Sequence, residues 1–228
     1  MEKSFKDVPA WEDDFAMDEI IDKNTWSMEN HFSDTYCAYF TPRKENVRIE
    51  DDVLKICLLR EDYNSAKRTS ASLKCKKVFN GGKIEVEAKL PHGSGVWAAI
   101  WLKAENGHKI HGEIDMAEHV GWYNTHKYQT NIHIVANARK QFAKNVMATV
   151  TEYHTYGVEW YKDRIAILLD GNTVHELRKS DVEVWPFDSI GYHLILSLNY
   201  GGWAGNPNYN DTTPYVLEVR NVKYYDLL

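Results

Sequence analysis

The segment 83–90 constrains the fold more than any other part of the chain, because apolar and polar residues alternate through it without a break. Side chains of a β-strand point to opposite faces in turn, so this pattern predicts a strand with one buried and one solvated face. Similar strand-like segments cover 47–49, 53–59, 96–102, 128–135, 164–170, 173–177, 193–200 and 215–222. Turn residues at Asp51-Asp52 and at Gly171-Asn172 predict two hairpins among them.

Helical periodicity is almost absent, and the first 45 residues are polar and irregular. Many short strands separated by turns, without alternating helices, are typical of a β-sandwich or jelly roll. A chain of 228 residues without an internal repeat or linker suits one such unit. We therefore predict an all-β fold and a single domain over residues 1–228.

An acidic run lies in the middle of this pattern. Glu113 and Asp115 share one face of a regular strand, whereas Glu118, five positions beyond Glu113, would point to the other face. One extra residue at Met116-Ala117, a β-bulge, would bring all three carboxylates to the same side. A group of this kind can perform acid–base and nucleophilic chemistry on a glycosidic bond. A solvated acidic face of a half-buried strand is the alternative, although like charges crowded on one strand repel each other.

The composition narrows the range of partners. The net charge is −6 and the basic residues are scattered, which argues against nucleic acid as a partner. The 8 Trp and 14 Tyr residues exceed what a core of this size needs, and their flat rings with a polar edge suit sugars. Three cysteines without CxxC spacing exclude a disulfide framework; buried free thiols are expected, with one bridge between two of Cys37, Cys57 and Cys75 as the alternative.

Targeting signals are not evident in the sequence. No apolar stretch reaches the length of a membrane span, and the N-terminal residues 1–7 lack the apolar core of a secretory signal. Either the protein remains inside the cell, or a signal is missing from this chain. We expect an exported protein, periplasmic, cell-surface or extracellular, with a cytoplasmic location as the alternative.

The acidic run 113–118, read as ExDxxE, resembles the signature of glycoside hydrolase family sixteen in its bulged, laminarinase-like form. Further segments resemble the family in the same order along the chain; they are 11–15, 82–91, 95–102, 156–160, 170–171, 185–188 and 198–203. The resemblance covers most of the chain. A single hexapeptide match would be weak, whereas an ordered series makes coincidence implausible.

This resemblance implies a concanavalin-like jelly roll of two curved antiparallel sheets, with a substrate groove on the concave face. It also implies retaining endo-hydrolysis of a β-linked polysaccharide, without a required cofactor or catalytic metal. By position, Glu113 is the expected nucleophile, Glu118 the general acid/base and Asp115 the helper between them. The two working carboxyls would need different protonation states, and the three groups should titrate together.

Candidate substrate-binding residues follow from the same resemblance and from strand parity. They are Trp97, Trp101, Trp122, His133, Asn199 and Trp203. Aromatic side chains in loops at the ends of strands make good platforms for sugar rings. His119 should face away from the groove, and Trp160 and Trp185 are assigned to packing. His108 and His111 lie near Glu113 without the spacing of a zinc site, so we predict no metal there.

Two positions depart from the family pattern. Ser72 stands where many relatives carry an arginine of the substrate groove, so recognition on that side should differ. Arg220 stands where many relatives carry an aspartate that helps to hold a structural calcium. Calcium prefers carboxylate and carbonyl oxygens, so a structural calcium ion is not expected at this position.

Three functions remain open from the sequence. The leading one is an endo-β-glucanase, expected to be monomeric, that cuts β-1,3 or mixed β-1,3/1,4 glucan. A second is a β-galactanase of the agarase, porphyranase or carrageenase type, for which sulfated substrates would call for basic groove residues such as Lys127 or Arg139. A third is a non-catalytic carbohydrate-binding protein, which has no reason to retain a crowded carboxylate cluster.

Overall fold

A computed structural model of the chain describes residues 4–16, 20–105 and 107–228. The first three residues of the N-terminal segment considered above lie outside the described residues. Strands are the main regular structure of the described part. They are β1 (Trp11–Asp13), β2 (Trp26–Met28), β3 (His31–Ser33), β4 (Ala38–Phe40), β5 (Val47–Glu50), β6 (Val53–Tyr63), β7 (Ala66–Ser70), β8 (Ser72–Cys75), β9 (Gly82–Lys89), β10 (Val96–Ala104), β11 (His111–Val120), β12 (Lys127–Val135), β13 (Arg139–Met147), β14 (His154–Trp160), β15 (Arg164–Leu169), β16 (Asn172–Arg178), β17 (Tyr192–Tyr200) and β18 (Tyr215–Tyr225).

The strands form two sheets, as a jelly roll requires. The groove sheet has the order β13-β12-β11-β10-β17-β8-β2, and all its pairs are antiparallel. The outer sheet has the order β16-β15-β14-β9-β18-β6-β7-β4-β3, with β1 added beside β18 and β5 beside β6. Among the described residues, no helix has the length and apolarity that crossing a bilayer demands. The predicted all-β jelly-roll class is confirmed.

The core lies between the two sheets. Burial alternates residue by residue along β9, with Ile84 and Val86 turned inwards, as the sequence pattern predicts. Trp160 and Trp185 are buried in this core, which confirms their assignment to packing. Each large apolar side chain that is fully buried contributes about 1.5–3 kcal/mol, so a core of this extent holds the groove sheet firmly in place.

The hairpin predictions are confirmed at one turn and corrected at the other. Asp51 and Asp52 both have positive φ and join β5 to β6 directly. In the second hairpin the two turn residues are Asp170 and Gly171, with φ of 49° and 76°, and Asn172 already begins β16. The turn lies one residue earlier than predicted because aspartate tolerates the left-handed conformation that this turn type needs.

Two other expectations need correction. The first 45 residues were expected to be irregular, yet they contain the short strands β1 to β4. The predicted buried thiols hold for Cys57 and Cys75, whereas Cys37 is partly exposed; all three are free.

Candidate active site

A β-bulge brings the three carboxylates of β11 to one face. Asp115 lies opposite Asn131 on β12, and Glu118 lies opposite Gln129, so β11 advances three residues while β12 advances two. The extra residue lies between Asp115 and Glu118, where the sequence predicts it. The bulge reverses the parity of the strand, and Glu118 therefore shares the face of Glu113 and Asp115.

These carboxylates form the floor of an open groove of about 630 Å³ on the groove sheet. The groove is lined by every residue that the sequence nominated, namely Trp97, Trp101, Glu113, Asp115, Glu118, Trp122, His133, Asn199 and Trp203. Nine further lining residues were not nominated as site residues, and Tyr36, Tyr123, Gln129, Asn131 and Arg139 are among them. Tyr36 lies in the segment that was expected to be irregular, and only its aromatic character in a loop could have marked it.

Two of the three carboxyl groups are buried. Asp115 is 3% exposed and Glu118 is 8% exposed. Burial is the main reason why the pKa of Asp115 lies well above its usual range, and the charge of Glu113 adds to the effect. Burial likewise raises the pKa of Glu118 well above its usual range, with the charge of Asp115 next in importance. Both groups therefore retain a proton at a pH where an ordinary carboxylic acid is ionised.

Glu113 has a different environment. Its side chain is 24% exposed, and its Oε1 accepts a hydrogen bond of 3.0 Å from Nη2 of Arg139. A charge-assisted bond to a guanidinium balances the negative charge of this carboxylate. The groove thus contains one carboxylate beside a cation and two buried carboxyl groups that favour the protonated form.

Glu118 is oriented by a neighbouring strand. Nε1 of Trp97, on β10, donates a hydrogen bond of 3.1 Å to Oε1 of Glu118. This bond opposes the effect of burial on the pKa of Glu118, since it stabilises the charged form. It also fixes the direction of the carboxyl group, which is a requirement for proton transfer to a defined oxygen of a substrate.

His133 lies against the carboxylates rather than in the core. Its Nδ1 is 3.2 Å from Nε of Arg139, and its Nε2 is 3.1 Å from Oδ2 of Asp115. A guanidinium can only donate, so Nδ1 is the acceptor and the proton of the neutral ring is on Nε2, the nitrogen near Asp115. Burial lowers the pKa of His133, which agrees with a neutral ring.

Aromatic rings form one wall of the groove. The rings of Trp97 and Trp203 meet nearly at right angles with centroids 5.5 Å apart, and Tyr36 contacts the other side of Trp97 in the same manner. Trp122 is exposed and donates its Nε1 hydrogen to the carbonyl oxygen of Trp203 at 2.9 Å. Such edge-to-face contacts hold the rings in fixed orientations, and their apolar faces suit the faces of sugar rings.

Trp101, on β10, and Asn199, on the adjacent strand β17, share one partner. Nε1 of Trp101 donates to Oγ of Ser197 at 3.2 Å, and Nδ2 of Asn199 donates to the same oxygen at 3.4 Å. Ser72 lies opposite Ser197 and is buried, and it is not among the residues that line the groove.

His119, on the other face of β11, is fully buried and donates its Nδ1 hydrogen to the carbonyl of Lys127, which confirms its orientation away from the groove.

Two groups of residues, one in the groove and one around Arg220, can be tested for their fit to a metal ion. Donor atoms of Glu113, Asp115 and His133 lie within 4.8 Å of one another, yet the guanidinium of Arg139 already balances this group. A divalent cation there would meet a fixed positive charge. At the calcium position suggested by the family pattern, the guanidinium of Arg220 pairs with Glu87 instead. The residues of that position do not fit a cation.

A two-sheet jelly roll with three carboxyl groups on the floor of an aromatic-walled groove defines a polysaccharide-cleaving hydrolase. Residues 35–220 match the family model described as glycosyl hydrolases family 16, and the chain belongs to this family. It is therefore a glycoside hydrolase, which sets aside the non-catalytic binding protein.

The chain is similar to curated relatives and to solved structures over nearly its whole length. It is 30% identical to a β-glucanase of Rhodothermus marinus, with 95% of this chain and 84% of that protein covered. It is 27% identical to a keratan-sulfate endo-1,4-β-galactosidase of Sphingobacterium multivorum, with 95% and 54% covered. The laminarinase catalytic domain of Thermotoga maritima superimposes with a TM-score of 0.88 at 25% identity, with 98% of this chain and 99% of that chain covered.

Proposed function

We propose that this chain cuts internal bonds of β-1,3 or mixed β-1,3/1,4 glucan with retention of configuration. The observation that carries the proposal is the unequal environment of carboxyl groups on one strand face. Glu113 is paired with a cation, whereas Glu118 is buried and favours its protonated form. Double displacement needs this division, with an ionised attacker on one side of the bond and a proton donor on the other.

In the first step, Oε1 or Oε2 of Glu113 attacks the anomeric carbon while Glu118 protonates the departing glycosidic oxygen. The bond from carbon to the leaving oxygen breaks, and an ester between the sugar and Glu113 forms. In the second step the ionised Glu118 takes a proton from water, and the resulting hydroxide displaces Glu113 from the sugar. Two inversions at the same carbon give net retention.

Asp115 assists from between the two glutamates. Its raised pKa keeps it protonated, so it can donate a hydrogen bond to Glu113 and limit the repulsion among the three groups. His133 lies beside both groups, with its Nε2 3.1 Å from Oδ2 of Asp115 and 3.5 Å from Oε1 of Glu113. The three carboxyl groups and their partners therefore act as one coupled unit.

The form of the groove supports attack within a polymer chain. It is open to solvent, and its aromatic wall offers faces for several sugar units on one side of the carboxylates. The names of the β-glucanase and laminarinase relatives favour a glucan. A sulfated galactan is less well supported, because the cation of Arg139 is engaged by Glu113 and Lys127 packs over Tyr123 outside the groove. Among the described lysines, only Lys103 lines the groove, and its ammonium lies over the ring of Trp101.

A panel of polysaccharides tests this proposal. Laminarin, barley glucan, lichenan, agarose, porphyran and keratan sulfate would each be incubated with the protein and with Glu113→Gln. We expect the wild type to release a ladder of oligosaccharides from laminarin or the mixed-linked glucans, with β-anomers first in proton NMR. Cleavage of a galactan alone would contradict the glucan assignment, and initial α-anomers would contradict retention.

The setting of the enzyme is part of the same proposal. A polysaccharide does not cross membranes unaided, so we propose an exported protein that works in the periplasm, at the cell surface or outside the cell. We also propose that it is a monomer. Cell fractionation of the native producer, with detection of this chain, tests the location. Sedimentation of the purified protein over a range of concentrations tests the monomeric state.

A further inference from the structure

The edge strand β13 delivers a single cation to the reacting face. Arg139 is its first residue, and the side chain is 58% exposed. It nevertheless makes two hydrogen bonds to two different strands, from Nη2 to Glu113 on β11 at 3.0 Å and from Nε to His133 on β12 at 3.2 Å. A planar guanidinium presents both donors in a fixed geometry, which the single ammonium of lysine cannot do.

The bond to His133 has a chemical consequence further along the network. Because Nδ1 of His133 accepts from Arg139, its hydrogen is on Nε2, which lies 3.1 Å from Oδ2 of Asp115 and 3.5 Å from Oε1 of Glu113. Without this donor, the neutral ring could place its hydrogen on either nitrogen. The other tautomer would leave a lone pair, instead of a hydrogen, on the nitrogen beside these two carboxyl groups.

We propose that Arg139 is a positioning residue, whose guanidinium holds the Glu113 carboxylate and fixes the His133 tautomer that carries its hydrogen on the nitrogen beside Asp115. The inference rests on the proposed roles of Glu113 and Asp115. It adds a residue that lies 26 positions beyond Glu113 and outside the acidic motif.

Arg139 also affects the charge balance of the whole cluster. The ionisable groups that face it or face Glu113 are Tyr36, Lys103, Asp115, Glu118 and His133. Its positive charge opposes the rise in pKa of both Asp115 and Glu118. Removing it should make Glu118 harder to ionise, so the alkaline limb of the activity profile, where the proton donor is lost, should move to higher pH.

Arg139→Met and Arg139→Lys separate charge from geometry. We expect Arg139→Met to lower kcat about 10- to 100-fold while KM changes much less, since misplacement of a reacting group by about 1 Å costs rate rather than binding. Arg139→Lys should retain the position of the alkaline limb but recover only part of kcat. Lys140→Met is the matched control, because Lys140 is the next residue of β13 and pairs with Glu183 away from the groove. It should leave kcat and the pH profile unchanged.

A second measurement does not depend on any substrate. Imidazole nitrogen NMR of the labelled protein reports which ring nitrogen of His133 carries hydrogen, with its signals identified by their loss in His133→Gln. We expect the Nε2 tautomer in the wild type and a mixture in Arg139→Met. The same tautomer in both proteins, or an unchanged kcat in Arg139→Met, would overturn the inference. If the wild type cleaves no glucan, the proposed function fails, while the tautomer measurement still decides the role of Arg139.

Discussion

Two acidic regions of this molecule contrast in how their charge is balanced. In the groove, three carboxyl groups share one arginine, and two of the three are buried. On the solvent face of the outer sheet, strands β9 and β18 form a paired cluster in which each carboxylate has its own cation. Glu87 pairs with Arg220 at 3.0 Å, and Glu218 pairs with Lys89 at 3.1 Å.

The pKa values show what this difference means. Burial acts to raise the pKa of Glu118 and of Glu218 alike. For Glu218 the hydrogen bond from Tyr153 and the pair with Lys89 more than offset burial, and its pKa is lowered. For Glu118 no comparable compensation occurs, and its pKa is raised. The outer sheet stabilises the ionised form of its carboxylates, whereas the groove holds carboxyl groups whose ionisation is unfavourable. Shifted pKa values of this kind are typical of catalytic sites.

Replacing a carboxylate in each region gives the largest expected contrast. Glu113→Gln should lower kcat on polysaccharide by several orders of magnitude, because an amide cannot attack the anomeric carbon. Glu87→Gln is the same chemical change in the paired cluster and should leave kcat within experimental error. Initial rates and melting curves of both variants check this. More than about a tenth of wild-type kcat in Glu113→Gln would remove Glu113 from the nucleophile role.

Glu118→Ala tests the second member of the groove. Loss of the general acid and base should lower turnover of an unactivated glucan about 10²- to 10⁴-fold. An aryl glycoside with a good leaving group needs little protonation, so the glycosyl-enzyme should form and then hydrolyse slowly. Azide, which needs no base, should restore turnover and yield the β-glycosyl azide. An α-azide would indicate a single displacement and would contradict the retaining mechanism.

Asp115→Asn tests whether the buried carboxyl group of the groove lowers the stability of the folded protein at high pH. The folded-state pKa of Asp115 is raised, so the folded protein binds more protons than the unfolded chain, and wild-type stability falls as pH rises from about 4 through the folded pKa. The neutral amide avoids this loss. We expect Asp115→Asn to be more stable than the wild type at pH 8 by about 0.5–2 kcal/mol, with a much smaller difference at pH 4.

Urea unfolding at the two pH values measures this difference in the free energy of unfolding. In thermal unfolding, a difference of about 1 kcal/mol corresponds to a change in Tm of about 2–4 °C for a chain of this size. A stability gain that is equal at pH 4 and pH 8 would show that ionisation of Asp115 is not its cause.

Arg220→Met should have the smallest effect. The side chain is about half exposed, and it loses only the pair with Glu87 and a contact over the ring of Tyr153. We expect a loss of about 0.5–1 kcal/mol in stability and no change in kcat. EDTA should leave both the activity and the Tm of the wild type unchanged. A large fall in Tm on chelation that calcium reverses would show that other ligands hold a cation.

The fold was predictable where burial is one-sided. In β9 one face is buried and the other solvated, so alternation reveals the strand. In β13 almost every residue is exposed, so no periodic pattern marks it, and it was missed. The strands β2, β3 and β4 have three residues each, which is too short for a period to be recognised.

The site was predictable where it depends on one strand. Spacing alone implied the bulge between Asp115 and Glu118, because parity could not be satisfied otherwise. Other parts of the site depend on partners far apart in sequence. Examples are the bond of Arg139 to Glu113 and the contact of Tyr36 with Trp97. Local patterns contain no information on such contacts, since the register between strands decides them.

The position of β13 at the end of the groove sheet has a consequence for solubility. An outermost strand presents backbone donors and acceptors that can pair with another chain, which is a common route to aggregation. This strand carries Arg139, Lys140 and Lys144, of which the first two are paired with Glu113 and Glu183. Charged side chains on an edge strand disfavour pairing with a second sheet, because pairing would crowd or bury them. The strand that supplies Arg139 to the groove is therefore also an edge that disfavours growth into a larger assembly.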